Sequence, residues 1–297
     1  MSAILEQIPD ISPLCDAVRS ILGPRAFSAY RFCDDVAGEH KVYEVYQIVR
    51  DDGTFVLKQY DNPKRFETER SVYARFSPAL PVPRVLGFSE NAMVTAFVPG
   101  EDLKEMTDTG ISAAADSAAE IMNAFPFGQD YDRTGADAEI SYREKRLESL
   151  QNEPLLLTAY GQVLARLKDM PLTLANGDFL PLNCIYDGTR VYIIDWEYGG
   201  FLPYALDIGR FLAHCGEHTV FPYRMTEAQK ALFCDRLYEM LTVKPERSVF
   251  DRDVRLAVFD EWIMIVSWYL RNPDEPRDET FRVYYDRAAA LAKALLS

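Results

Sequence analysis

Histidine is scarce in this 297-residue chain, with three in all, and cysteine offers no framework. Cys15, Cys33, Cys184, Cys215 and Cys234 are odd in number and scattered, with no CxxC pair. That argues against a disulfide scaffold and reads as free thiols in a reducing compartment. Cationic charge is also lacking. Lys plus Arg number 32 against 46 Asp plus Glu, a formal net charge of −14. A nucleic-acid or anionic-membrane partner needs clustered Lys and Arg, so neither is expected. No apolar run is long enough to span a bilayer: the most apolar stretch, Val254 to Leu270, is interrupted by Arg255, Asp260 and Glu261 and reads as a buried helix. The opening segment MSAILEQIPDISP carries Glu6 and Asp10 where a signal peptide would carry cations and an apolar run. The expectation is a soluble, cytoplasmic protein. Internal repeats, low-complexity tracts and a GxGxxG loop are missing as well.

What is present is a change of period. Ser12-Pro13 and Gly23-Pro24 bracket a helical spacing of Leu14, Val18, Ile21 and Leu22, with Ser12 expected as N-cap. Ala26 to Phe32, Lys41 to Val49 and Thr54 to Tyr60 are rich in Val, Ile, Tyr and Phe and are separated by turn-like segments, which predicts three antiparallel strands. Pro63 opens a helix to about Phe76, and short strands follow near Val85 to Phe88 and Met93 to Val98. After Pro99-Gly100 helical periodicity dominates, near Ser112 to Ala124, Ile140 to Leu150, Pro154 to Leu167, Tyr204 to His214, Thr226 to Leu241, Arg247 to Leu270 and Phe281 to Leu296. One hairpin, Cys184 to Ile194, interrupts it around the tight-turn pair Asp187-Gly188.

That hairpin sits between Asn176-Gly177-Asp178-Phe179-Leu180-Pro181-Leu182-Asn183 and Ile193-Ile194-Asp195-Trp196-Glu197. In an antiparallel hairpin the start of one strand lies beside the end of the other, so Asn183 and Asp195 are expected to meet. An amide oxygen and a carboxylate suit Mg²⁺, which takes oxygen ligands. Asp178, one tight loop upstream, can face the same spot. Taken singly, these residues are ordinary turn formers and strand-end caps; their joint spacing favours a site.

Asn-Gly-Asp-x-x-x-x-Asn followed by Ile-Asp-Trp-Glu resembles the catalytic and metal motifs of the aminoglycoside phosphotransferase and choline kinase family. The resemblance extends over most of the chain. Phe55-Val56-Leu57-Lys58 resembles the strand that carries the phosphate-binding lysine, and Glu69-Arg70-Ser71-Val72-Tyr73 the helix of its ion-pair partner. Val82 to Gly87 and Phe97 to Leu103 resemble the segments around the interlobe hinge, and Tyr204 to Arg210 the helix after the metal aspartate. The resemblance implies an α+β, bilobal protein-kinase-like fold. Residues 1–98 would form an antiparallel-sheet nucleotide-binding lobe, and 99–297 a mainly helical catalytic and substrate-binding lobe. It implies transfer of a γ-phosphoryl group from ATP or GTP to a small-molecule hydroxyl, on an aminoglycoside, choline, ethanolamine or a sugar. Asp178 would be the base, Asn183 and Asp195 the Mg²⁺ ligands, and Lys58 the contact to the phosphates. Glu69 would fix that lysine. Val56 and Phe97 would line the nucleotide. Glu67 is a rival to Glu69, which is preferred because the family pattern places apolar residues three and four positions later, here Val72 and Tyr73.

Two departures stand out. Asn176 occupies a position that is usually His in this family, which raises the alternative of an inactive nucleotide-binding scaffold. The turn Asp34 to Lys41 holds a single glycine, Gly38, so its nucleotide contact is unassigned. A competing motif, His214-Cys215-Gly216-Glu217-His218, matches the H-x-x-E-H pattern of zinc peptidases, with His214 and His218 as ligands and Glu217 as base. Gly216 speaks against it, since glycine weakens a helix and is typical just past a helix end. Finally, Asp260-Glu261-Trp262 and Trp268-Tyr269 share a helix, and Trp262 and Tyr269 share a face. They read either as core or as an acidic, aromatic wall for a cationic amine.

Overall fold

In a computed structural model the chain is described over residues 4–36 and 39–297. Gly38, the lone glycine of the Asp34 to Lys41 turn, lies outside the described residues.

The N-terminal part is built on one antiparallel sheet. Its strands are β1 (Ile4–Gln7), β2 (Ser28–Val36), β3 (Glu39–Arg50), β4 (Gly53–Gln59), β5 (Val85–Phe88) and β6 (Ala92–Ala96), in the order β1-β2-β3-β4-β6-β5. Alternation divides the faces. Ala29, Ile48, Leu57 and Val94 turn inward and pack on Leu14 and Val18 of α1 (Ser12–Leu22). Helix α1 comes close enough that a Cβ on Gly87 would sit 2.8 Å from Ile21 Cγ2. Ser12 is the first helical residue rather than the cap. Its amide donates to Asp10 Oδ1 (3.0 Å), and Ile11 takes the cap position.

Helix α2 (Pro63–Phe76) follows β4. Asn62 caps it, its Oδ1 accepting from the Lys64 and Arg65 amides, while Pro63 loses nothing in the first turn. Its buried stripe is Phe66, Glu69, Val72 and Tyr73. A carboxylate in the middle of an apolar stripe is costly unless partnered.

Beyond β7 (Glu101–Asp102) the chain is mainly helical: α3 (Asp108–Ala124), α4 (Thr134–Glu144), α5 (Arg146–Ser149) and α6 (Pro154–Asp169). The fully buried β8 (Leu172–Ala175) leads into a loop, then β9 (Cys184–Tyr186), β10 (Val191–Ile193) and β11 (Gly200–Pro203). Helices α7 (Ala205–Ala213), α8 (Glu227–Met240), α9 (Arg247–Arg271) and α10 (Glu279–Leu296) complete it. Strand β11 pairs with β8, and β7 adds to the β9–β10 hairpin. The hairpin turn is closed by Asp187, whose Oδ1 accepts from the Thr189 and Arg190 amides at 2.8 and 2.9 Å. Gly209 allows α7 against α9: a Cβ there would lie 2.5 Å from Ala257 Cβ. The result is the bilobal, kinase-like α+β architecture. Among the described residues, no helix is long and apolar enough to cross a membrane.

Candidate active site

Lys58 lies on β4 opposite Val45 and Met93, on the sheet face away from α1. Its Nζ is 2.7 Å from Glu69 Oε2, 2.7 Å from Asp195 Oδ1 and 3.0 Å from Glu197 Oε1. Burial alone would lower the ammonium's pKa, but the three carboxylates outweigh it and hold Lys58 charged, above its ordinary value. Burial pushes Glu69 the other way, upward, against the pull of Lys58. Its remaining lone pairs are used, with Tyr60 Oη donating to Oε2 at 2.8 Å and the Trp196 amide to Oε1 at 3.0 Å. Glu69 therefore ties strand, helix and the loop after the hairpin together. Glu67 is exposed and pairs with Arg70.

The loop between β8 and β9 is braced by Asn176, which is fully buried. Its Nδ2 donates to the carbonyls of Ile194 (3.2 Å) and Asp195 (3.1 Å), and its Oδ1 accepts from the Asp178 amide (3.1 Å). One side chain thus holds both acidic segments. Asp207 receives the next two amides, from Asn176 (2.6 Å) and Gly177 (2.9 Å). Burial pushes its pKa up to about 6, with those two amides opposing. Gly177 adopts φ 77°, where a Cβ would meet Tyr198 O at 2.3 Å, so glycine is required.

Asp178 and Asn183 face each other across this loop, with Asn183 Nδ2 donating to the Asp178 carbonyl at 2.8 Å and to Oδ2 at 3.3 Å. The hairpin register differs from the expectation. Ile193 pairs with Cys184, and the Ile194 amide donates to the Asn183 carbonyl at 2.9 Å. Asn183 is therefore opposite Ile194, and Asp195 lies one residue past the ladder. The reason is local: Asn176 captures the Ile194 and Asp195 carbonyls, and Asp195 turns into the left-handed region at φ 62°. Val56 shares the face of Lys58. Phe97, whose amide donates to the Thr54 carbonyl (3.3 Å), falls two residues along from Val56 on that face.

The chain as a whole is similar to known proteins. The model of the phosphotransferase enzyme family matches residues 42–239, two thirds of the chain. The chain belongs to the phosphotransferase enzyme family. No curated protein matches the sequence. Among solved structures, the choline kinase LicA from Streptococcus pneumoniae is similar, with a TM-score of 0.63 at 14% identity, over 93% of this chain and 96% of that one. LicA has also been crystallised with AMP. The macrolide 2'-phosphotransferase MphH from Brachybacterium faecium gives a TM-score of 0.59 at 15% identity, over 94% and 97%. A choline/ethanolamine kinase family protein from Mesorhizobium loti gives 0.57 at 18%, over 89% and 88%. At these identities the likeness shows a shared fold.

The phosphotransferase does not assemble the H-x-x-E-H motif. Helix α7 ends at Ala213, and a Cβ on Gly216 would strike the Phe221 ring at 2.6 Å. His214 and His218 are therefore not one turn apart on a helix. Both ring nitrogens of His214 are engaged, by Tyr284 Oη (3.1 Å) and Glu261 Oε2 (3.2 Å), while His218 reaches toward Glu279. Around Lys58, the carboxylate oxygens of Glu69, Asp195 and Glu197 lie within 4.8 Å of one another, close enough to share a metal ion.

Of the acidic, aromatic wall expected on α9, Asp260 and Trp262 are taken up by internal contacts. Asp260 is buried and bound by Arg143 Nε (2.7 Å), Arg146 Nη1 (2.7 Å) and Tyr160 Oη (2.8 Å). Trp262 Nε1 donates to the Ala213 carbonyl at 3.0 Å. These residues are packing and pairing, since a carboxylate buried in an apolar helix must find its cation.

In the sequence Arg210 and Glu261 figure only as part of a helix and of a possible acidic wall; their connection to Asp178 is not foreseen there. Arg210 Nε donates to Asp178 Oδ1 at 2.7 Å and Nη1 to Glu261 Oε2 at 2.7 Å. Burial alone would raise the Glu261 pKa, but Arg210 and His214 hold it well below the carboxylate range. Both residues line a cleft of about 250 Å³, together with Glu197, Tyr198, Glu139 and Arg143. A charge inside the apolar segments ALDIGRFLA and AVFDEWIMIV was the available signal.

Proposed function

We propose that the chain transfers the γ-phosphoryl group of ATP or GTP to a hydroxyl of a small molecule. Residues 1–98 serve as the nucleotide-binding lobe and 99–297 as the catalytic and acceptor lobe. The observation that carries this is Lys58 held between Glu69 and Asp195, with Asp178 fixed in the adjoining loop by Asn176. Phosphoryl transfer needs positioned charge more than covalent help. Lys58 is poised to meet the nucleotide phosphates, Glu69 keeps its ammonium in place, and Val56 and Phe97 offer an apolar face to the base. Asp178 accepts the acceptor's hydroxyl proton as that oxygen bonds to the γ-phosphorus and the nucleoside diphosphate leaves.

The donor set suits Mg²⁺. Three carboxylates surround one ammonium, an excess of negative charge, and every candidate ligand atom is oxygen. Asp195 and Asn183 would hold the ion, Asn183 through Oδ1, since its Nδ2 is committed to Asp178. When bound with nucleotide, Mg²⁺ neutralises phosphate charge.

Asn176 supports activity over an inactive scaffold. It supplies both a donor and an acceptor to the loop, which is what bracing requires. The test is γ-labelled ATP and GTP offered with a panel of choline, ethanolamine, aminoglycosides, macrolides and sugars. Label on one acceptor is expected. Nucleotide binding without transfer to any of them would favour the scaffold.

A further inference from the structure

The Asp178 carboxylate is held asymmetrically. Arg210 of α7 points both Nε (2.7 Å) and Nη2 (2.5 Å) at the same oxygen, Oδ1. Among the described residues, Oδ2 has only the longer contact from Asn183 Nδ2, at 3.3 Å. The guanidinium is itself pinned, because Nη1 donates to Glu261 Oε2 on α9. Glu261 also takes His214 Nε2, and the other ring nitrogen of His214 meets Tyr284 Oη on α10. The close α7–α9 approach at Gly209 and Ala257 sets this geometry, with Glu261 one helical turn beyond Ala257. A rigid, always-charged fork keeps its donors on one oxygen in a way that a flexible ammonium does not.

Resting on the phosphotransfer reading above, we propose that Arg210 is the positioning residue for Asp178. It anchors Oδ1 so that Oδ2 alone faces the acceptor hydroxyl. The proton leaving the acceptor oxygen goes to Oδ2 as the O–P bond forms and the bond to the nucleoside diphosphate breaks. Arg210 stays on Oδ1 before and after, so the carboxyl does not rotate when it is protonated. Glu261 fixes the fork, and both residues line the cleft of about 250 Å³ described above. A purely structural arginine in α7 would be satisfied by Glu261; the two further donors toward Asp178 mark the second role.

The test compares wild type with Arg210→Met, Arg210→Lys and Glu261→Gln, as full chains with MgATP and whichever acceptor the wild type labels. Arg210→Met should lower kcat by about 10²-fold, the usual consequence of a misplaced reacting group, with nucleotide Kd by calorimetry within about twofold. Guanidinium ion added at millimolar level should restore part of kcat, and sodium chloride should not. Arg210→Lys and Glu261→Gln should fall between. An Arg210→Met kcat near wild type, or a loss that guanidinium does not relieve in a folded protein, would overturn the proposal. Should the wild type label no acceptor, the phosphotransfer reading fails. Crystal structures of wild type and Arg210→Met then decide the positioning role alone: a reoriented Asp178 carboxylate supports it, and an unchanged one overturns it.

Discussion

Asn176→Ala should weaken stability and turnover together, because one side chain braces both acidic segments. The substitution removes three hydrogen bonds, to the carbonyls of Ile194 and Asp195 and from the amide of Asp178. At about 1 kcal/mol net for each, the loss is about 3 kcal/mol. The site is fully buried, so water does not readily replace the missing partner. Against a total stability of about 5–15 kcal/mol the protein should still fold. Loosening the Asp178 and Asp195 segments should lower turnover by about 10²-fold. Asn176→His retains one donor and one acceptor, so about two of the three bonds survive, offset by strain from the larger ring. Urea denaturation and steady-state transfer for wild type and both variants provide the check. An alanine variant within about 0.5 kcal/mol and twofold of wild type would refute the bracing argument. So would a histidine variant worse than alanine on both measures.

Further expectations concern the buried charges. Burial raises the folded-state pKa of Asp207 to about 6 from the ordinary 3.8, so the folded chain holds that proton more tightly than the unfolded chain. Its contribution is therefore fully present below about pH 4 and is lost as pH rises to about 6, a swing of roughly 3 kcal/mol. The stability difference between wild type and Asp207→Asn should fall over that window, and a difference that is flat with pH would count against it. Asp260→Ala leaves Arg143 and Arg146 buried without their shared carboxylate and should cost about 3–5 kcal/mol in chemical denaturation; a cost under about 1 kcal/mol would show that the pair is not buried in solution. Glu69→Gln should lower turnover sharply while Glu67→Gln leaves it near wild type, and equal effects would remove Glu69 from its assigned place.

Legibility followed the range of the interactions. Helix α2 could be read closely because Pro63 and Pro78 are local start and stop signals. Strands β1, β7, β8 and β11, of four residues or fewer, are not read from the sequence and exist because a partner strand pairs with them. The expected helix at Ile140 to Leu150 begins earlier, at Thr134, and is interrupted at Lys145. Lys58 and Glu69 could be paired through the family resemblance of Phe55 to Lys58 and of Glu69 to Tyr73. The Asp178–Arg210–Glu261 chain could not, since its members lie on three separate elements brought together by helix packing. The hairpin expectation missed by one residue because Asn176, outside the hairpin, decides where its ladder stops. In His214 to His218 the spacing of a helix was present without the helix.

The central claim is that Asp178 serves chemistry and not nucleotide binding. Its most direct test is MgATP affinity by calorimetry beside the transfer rate for wild type and Asp178→Asn. The account expects an unchanged Kd and a kcat lower by about 10²–10⁴-fold in the variant, the range for loss of a general base. Undiminished transfer by Asp178→Asn, or a loss fully explained by weaker nucleotide binding, would contradict it.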